Sequence, residues 1–253
     1  MRSRDSLADA LGIRRGDLVA FVGGGGKTAA VLRLTEELRL RGWRVLASTT
    51  TKVGHSIGSA MSIVEVTPDG GASTEEVLAR EGAAFIAAGR GPDGKLAGVE
   101  PAALDGRLRS LADVVLVEAD GARQLPIKSP AVHEPVVPAS TTLVVPMVGL
   151  DALGRPVARG QVHRPELLST LAPKGVVTPG VVVRLLTSKQ GALKGIPESA
   201  SIRPILNKVA PDSRRTALRI AQSVLAEGPE RLDRVLVADI RAAEFSVVER
   251  PEG

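Results

Sequence analysis

"FVGGGGKTAAV", Phe21 to Val31, decides how this chain is read. Four consecutive glycines precede Lys27 and Thr28, and the apolar run "DLVAFV" (17–22) stands before them. A continuous apolar run of that length reads as a strand buried on both faces. Beyond the glycines, Val31, Leu34 and Leu38 recur at helical spacing until Gly42 marks a stop. A loop between a buried strand and a helix N-terminus presents backbone N–H groups and the positive end of the helix dipole. Glycines let such a backbone curl around phosphate oxygens without Cβ clashes. A lysine at the helix start reaches the β- and γ-phosphates, and a threonine hydroxyl holds Mg²⁺. Gly23, Gly24, Gly25, Gly26, Lys27 and Thr28 supply each of these parts. The longer phosphate-loop pattern would need a glycine where Phe21 stands. The loop is therefore the compact G-x-x-G-K-T form, and Phe21 belongs to the strand.

Outward from the loop, "WRVLAST" (43–49) reads as the next strand and completes a βαβ unit with a right-handed crossover. Strands are expected at 61–66, 83–89, 113–122, 141–148, 203–209 and 233–240. Helices are expected at 5–11, 74–80, 101–111, 164–172 and 211–226, and residues 149–201 are less regular. The sum is a doubly wound, mostly parallel α/β sheet of P-loop NTPase type. It is read as one domain over 1–253, with 126–201 as a smaller inserted subdomain.

Composition narrows the function. The chain has 253 residues, no cysteine, no tyrosine, one tryptophan and three phenylalanines. Thiol catalysis, disulfides and thiolate metal sites are excluded together. The scarcity of aromatic faces argues against single-stranded nucleic acid as a partner. The N-terminus is too polar for a signal peptide and no apolar run reaches spanning length, so a soluble cytoplasmic protein without membrane contact is expected. Net charge is +5, and residues 151–208 hold nine Lys/Arg against three Asp/Glu, a bias suited to an anionic ligand.

A triphosphate site also needs a carboxylate at the end of a neighbouring strand. "VVLVEADGA" supplies Glu118 and Asp120 as candidate Mg²⁺ ligands, with Thr28 as the third. The threonine run of "STTTKV" (48–53) is as readily a β-favouring stretch as a metal or substrate contact. "LNKV" (206–209) places Asn207 and Lys208 where a base could be packed, but Ala210 replaces the aspartate that reads guanine. ATP is thus favoured, with GTP as the alternative. "RQLPIKSPAVHEP" (123–135) carries Arg123, Lys128, His133 and Glu134 on a segment stiffened by prolines. Lys27, Asp120, Lys128, His133 and Glu134 are the candidate catalytic residues. His163-Arg164 in "VHRPEL" reads as the start of a helix, and His55 has no assigned place.

The loop resembles the ATP loop of Mur-type amide ligases. At "FVGGGGKT", "ASTTTK", "GPDGKLAGVEP", "VEADGARQLPIKSPAVHEPVVP" and "LNKV", the sequence resembles the bacterial selenium-dependent molybdenum hydroxylase accessory proteins, the YqeC-like family. The resemblance weakens between 151 and 200. It implies a nucleotide-dependent step in maturing a molybdenum cofactor enzyme, with a molybdenum hydroxylase or cofactor-handling protein as client. It also implies that Gly23 to Thr28 bind phosphate and that Glu118, Asp120, Lys128, His133 and Glu134 belong to the site. Three readings stand: a Mg²⁺-dependent nucleoside triphosphatase, a small-molecule kinase or acid-activating ligase with an anionic acceptor, and a non-catalytic nucleotide-gated adaptor.

Overall fold

The computed structural model describes residues 2–52, 61–65, 71–91 and 94–250. His55 lies outside the described residues. The chain opens with β1 (Arg2–Arg4), α1 (Leu7–Leu11), β2 (Leu18–Gly23), α2 (Lys27–Leu40) and β3 (Val45–Thr49). It continues with β4 (Ile63–Glu65), α3 (Gly71–Glu81), β5 (Ala83–Ala87) and the small hairpin β6 (Gly89–Arg90) and β7 (Leu96–Ala97). Then come α4 (Pro101–Asp105), α5 (Arg107–Ser110), β8 (Val114–Glu118), β9 (Leu143–Gly149), α6 (Pro165–Leu168) and α7 (Pro179–Thr187). The chain closes with β10 (Ser201–Ile202), β11 (Ile205–Asn207), α8 (Arg214–Glu227), β12 (Arg234–Asp239) and β13 (Glu244–Glu249).

The main sheet runs β1-β13-β12-β11-β9-β2-β8-β3-β5-β4, with β10 beside β9. From β12 to β4 every pairing is parallel, and β13 and β1 add an antiparallel edge. Alternate residues of each central strand face opposite layers, as the period of two requires. Val19 and Phe21 of β2 pack with Leu34 and Leu38 of α2 and with Leu7 and Leu11 of α1. Ala20 and Val22 face the other layer, which α7 and α8 cover. There α8 buries Ala217, Ile220, Ala221, Val224 and Leu225, three and four residues apart along one stripe. Val115 and Val117 of β8 meet Leu78 of α3, Leu104 of α4 and Leu108 of α5. Both faces are covered, which is why the strands read as unbroken apolar runs. Residues between 150 and 200 contribute Ala152, Val162, Leu168, Val177 and Leu186 to the cluster that also holds Ala20 and Val22.

The doubly wound, mostly parallel sheet agrees with the sequence reading, but several details differ. β2 and β3 do not pair with each other, because β8 lies between them and hydrogen-bonds to both. The expected βαβ unit is therefore split by a strand from later in the chain. The helix expected over 101–111 breaks at Gly106 into α4 and α5. The one expected at 164–172 is only Pro165–Leu168, and α7 replaces part of the irregular stretch. α7 has the signals of a helix start, Thr178 accepting from Val181 N–H and Pro179 in the first turn. β13 is buried from Phe245 to Val248 and exposed only at its ends, Glu244 and Glu249, and its buried Ser246 is bonded to Arg214.

Leu34 is fully buried between α2 and the sheet. Leu34→Ala is expected to lower the unfolding free energy by about 2–5 kcal/mol. In urea, the midpoint should fall with the slope of the transition unchanged.

Candidate active site

β2 ends at Gly23 and α2 begins at Lys27, so the chain turns through Gly24, Gly25 and Gly26 alone. Gly25 has φ +82°, and a Cβ there would lie 2.1 Å from the backbone nitrogen of Gly149. No residue with a side chain fits. The Gly24 N–H donates to the Met147 carbonyl (2.9 Å) and the Gly25 N–H to the Leu125 carbonyl (3.1 Å). The Gly23 N–H donates to the Asp120 carboxylate, at 3.1 and 2.9 Å from its two oxygens. The N–H groups of Gly26, Lys27, Thr28 and Ala29 have no acceptor among the described residues. These open donors, at the start of a 14-residue helix, are the ones able to receive an anion.

The position of β8 explains why its carboxylates reach this loop. Phe21 and Thr49 both pair with Glu118, which sets the end of β8 level with the ends of β2 and β3. Asp120, two residues further on, then meets Gly23 across a separation of 97 residues. Lys27 is buried, and its Nζ donates to the Gly23 carbonyl (2.6 Å) and pairs with Asp120 Oδ1 (3.1 Å). Asp120 Oδ2 pairs with Lys128 Nζ, also at 3.1 Å. Lys128 is 2% exposed, and its ammonium further donates to the Gly121 carbonyl (2.7 Å) and Glu134 Oε2 (2.6 Å). All three of its N–H donors are thereby engaged. Arg164 grips Glu134 from the other side, with Nη1 on Oε2 and Nη2 on Oε1 at 3.2 Å. Five charges of alternating sign thus form a continuous chain: Lys27, Asp120, Lys128, Glu134, Arg164.

Glu118 stands apart from that chain. It is buried, and its Oε1 has no hydrogen-bond partner among the described residues. Burial pushes its carboxyl above the usual range; Lys27 and the Thr28 hydroxyl pull it down without overcoming the effect, and Asp120 adds to the rise. For Glu134, burial works in the same direction, but the hydrogen bonds from Arg164 and Lys128 prevail and hold its carboxyl down at about 2. His163 is half-buried next to Lys128, and its backbone N–H donates to the Ile127 carbonyl at 2.9 Å. Desolvation, aided by Arg164, Lys128 and Arg123, lowers the basicity of its ring.

The structure brings Lys27, Glu118, Asp120, Lys128 and Glu134 together at the carboxyl end of the sheet. His133 is exposed at the tip of its loop, outside the ion chain. Asn207 is buried as a strut: its amide donates to the Gly25 carbonyl (2.7 Å), and its oxygen accepts from the Ile240 N–H (3.1 Å). Lys208 points away to Asp151 at 3.1 Å. In the threonine run, Thr49 and Thr50 hydroxyls donate to backbone carbonyls, Thr50 to Val136 at 2.7 Å. Arg164 does start a helix, as the sequence suggests, but its ion pair with Glu134, 30 residues upstream, left no local signal. Arg123 and Gln124 are exposed and both left-handed, φ 48° and 61°. A cleft walled by Pro130, Pro135, Met147, Leu185 and Ala192 opens onto Asp120 and Lys128.

A compact phosphate-type loop on a mostly parallel α/β sheet, faced by carboxylates from the adjacent strand, defines the class of protein. The sequence pattern of the YqeC protein family matches residues 19–166. The YqeC protein of Escherichia coli (strain K12) is 32% identical over 189 residues, 73% of each chain. The chain belongs to the YqeC family. Among solved structures, FtsY from Mycoplasma mycoides matches 92% of this chain and 63% of its own, with 12% identity and a TM-score of 0.42. Chloroplast FtsY from Physcomitrella patens matches 95% and 64%, with 16% identity and a TM-score of 0.44. The hydrogenase maturation factor HypB from Archaeoglobus fulgidus matches 90% and 83%, with 15% identity and a TM-score of 0.41. The chain spans less than two thirds of either FtsY chain. Such scores do not bear on activity. Among the described residues, no helix is long and apolar enough to cross a membrane.

The depressed Glu134 carboxyl gives a pH test. A carboxylate whose folded pKa lies below its unfolded value stabilises the fold above the unfolded pKa and loses that effect as pH falls towards the folded one. The contribution of Glu134 should therefore disappear between the ordinary 4.5 and about 2. Thermal midpoints measured across that window should fall more steeply for the wild type than for Glu134→Gln.

Proposed function

We propose that this protein is a Mg²⁺-dependent nucleoside triphosphatase of the cytoplasm, with ATP favoured over GTP, that assists selenium or molybdenum cofactor maturation of a molybdenum hydroxylase. The observation that carries the nucleotide reading is the convergence of the open N–H groups of Gly26 to Ala29, Lys27 and the unsatisfied Glu118 Oε1 beside Thr28. The client is supported by the resemblance of the central block to the hydroxylase accessory proteins, and residues 126–201 are taken as the subdomain that faces it.

The donor set fits Mg²⁺. A carboxylate oxygen without a partner and a hydroxyl are hard oxygen ligands, and Mg²⁺ is commonly held by one or two carboxylates together with substrate phosphates. Among the described residues, no cluster of three His, Cys, Asp or Glu side chains could hold a metal alone. Thr28 and Glu118 would hold the ion, whose charge would offset that of the phosphates; Asp120, whose two oxygens are taken by Lys27, Lys128 and the Gly23 N–H, would position those lysines. The open N–H groups at the start of α2 bind and orient the phosphates. Lys27 leaves the Gly23 carbonyl for the β- and γ-oxygens, where its charge opposes the charge that develops during transfer. Water attacks the γ-phosphorus, the bond to the bridging oxygen breaks, and that oxygen leaves with the diphosphate. Lys128, with its donors engaged, acts on this step through Asp120, and Glu134 holds Lys128. His133 lies outside the ion chain and is assigned to the surface that meets the client. Asn207 braces the loop through the Gly25 carbonyl and Lys208 is paired with Asp151, so neither is assigned a contact with the base.

The cleft beside Asp120 and Lys128 favours a second reading, in which an anionic acceptor takes the phosphoryl group in place of water. A phosphorylated product other than free phosphate, in amounts equal to the diphosphate formed, would distinguish transfer from hydrolysis.

Lys27→Ala is expected to abolish measurable binding of Mg²⁺-ATP and Mg²⁺-GTP by calorimetry. Equal affinity in wild type and variant would overturn the assignment. Glu118→Gln is expected to reduce Mg²⁺-dependent hydrolysis by at least tenfold while leaving metal-free nucleotide binding nearly unchanged, since a neutral amide is a poorer Mg²⁺ ligand.

A further inference from the structure

The ion chain presents a competition. Asp120 is shared by two ammonium groups at equal distance, Lys27 on one oxygen and Lys128 on the other, both 3.1 Å away. Lys27 cannot keep its place on Asp120 and the Gly23 carbonyl while also holding phosphate. When it leaves, Asp120 remains buried with the Gly23 N–H and Lys128 as its partners. A buried carboxylate deprived of one of two cations is strongly destabilised unless the other stays in place. Whether Lys128 stays depends on Glu134, which binds it more closely than Asp120 does, 2.6 Å against 3.1 Å.

We propose that Arg164 is a positioning residue for the nucleotide step, dividing the charge of Glu134 so that Lys128 remains bound to Asp120 when Lys27 turns to the phosphates. Arg164 takes both oxygens of Glu134 in a forked contact, a geometry that a planar guanidinium provides and an ammonium does not. With Arg164 in place, Lys128 shares Glu134 and has interaction to offer Asp120. Without it, the whole charge of Glu134 falls on Lys128, and Asp120 loses its remaining cation at the moment Lys27 departs. Asp120 then either swings out of contact with Gly23 or draws Lys27 back from the phosphates.

The surroundings of Arg164 suit such a role. It adopts a left-handed backbone conformation (φ 57°) immediately before α6, a strained state for a residue with a side chain. The isolated bridge between Lys128 and His163 fixes the two strands of chain side by side. Lys194 secures the loop between them by donating to the Ala131 and Val132 carbonyls. Glu134 is thus held by Arg164 from the start of α6, while Lys194 anchors the loop that carries it, so its carboxylate has little freedom to follow Lys128 by itself.

The inference rests on the nucleotide reading above, and its test separates the two. Hydrolysis and Mg²⁺-ATP affinity are compared for wild type, Arg164→Ala, Arg164→Lys, Lys128→Ala and the Arg164→Ala/Lys128→Ala double variant, all as the full chain. Arg164→Ala is expected to lower kcat by at least tenfold while Kd for Mg²⁺-ATP changes by less than threefold. Arg164→Lys should recover only part of the loss, because it restores charge without the fork. The double variant should be no slower than Lys128→Ala, since Arg164 acts only through Lys128. To separate position from folding, ¹⁵N-lysine spectra of the Mg²⁺-ATP-bound protein follow the Lys128 ammonium, whose chemical shift and hydrogen exchange should both change in Arg164→Ala as it moves from Asp120 towards Glu134 while the other lysine signals stay in place. Wild-type protein that neither binds nor hydrolyses ATP or GTP overturns the functional reading and this proposal with it. Wild-type turnover accompanied by unchanged kcat in Arg164→Ala, unchanged exchange at Lys128, or strictly additive losses overturns the proposal alone.

Discussion

The site depends on one carboxylate. Asp120 accepts the Gly23 N–H, pairs with Lys27 and pairs with Lys128, so the end of β2, the start of α2 and the loop after β8 are joined at a single buried group. A charge so deep in protein is tolerated only because each of its oxygens has a cation and a hydrogen bond. Every neighbouring feature follows from meeting that requirement. β8 must lie beside β2 to bring the carboxylate within reach, the loop after it must return Lys128, and Lys128 in turn needs Glu134 and Arg164 to balance its charge.

This arrangement gives the glycine loop an unusual division of labour. Gly23, Gly24 and Gly25 have their N–H groups bound to protein acceptors, which fixes the loop against Met147, Leu125 and Asp120. The donors left open begin at Gly26 and continue into the first turn of α2. The glycines thus allow close approach of backbone to backbone, as the 2.1 Å conflict at Gly25 requires, and the helix start supplies the binding groups. Glu118, raised by burial and lacking a partner for one oxygen, is the one carboxylate whose bonding is incomplete in the described structure at this end of the sheet. That incompleteness sets Glu118 apart from Asp120 and Glu134, whose oxygens are engaged by cations.

What could be read in the sequence was local. "FVGGGGKT" and "VVLVEAD" carry strand, loop and carboxylate within a few residues, and the structure places all of them at one end of the sheet. The doubly wound class followed from apolar runs alternating with helical spacing. The placement of β8 between β2 and β3 was not legible, because strand order is set by packing of distant segments and neither strand's own pattern encodes its neighbour. The sequence marks Arg164 only as the start of a helix, for the same reason: its partner Glu134 stands 30 residues earlier and no local pattern links the two. α7 escaped because Val181, Val182 and Val183 favour a strand by propensity, although Thr178 and Pro179 mark a helix start. Asn207, at the end of β11, has an amide that ties the glycine loop to the residue just after β12.

The split of the βαβ unit has a bearing on how the chain reaches its fold. β2 makes its sheet contacts with β8 and β9, which end at Glu118 and Gly149. During synthesis, the chain up to about residue 113 therefore leaves the ribosome with β2 unpaired on both edges, a bare apolar strand running into the glycine loop. Such a segment is a template for intermolecular pairing until its true neighbours arrive. Only when residues beyond 149 have emerged can the strand be enclosed. The nascent protein thus has a long interval in which holdase chaperones compete with aggregation for the stretch that carries the glycine loop.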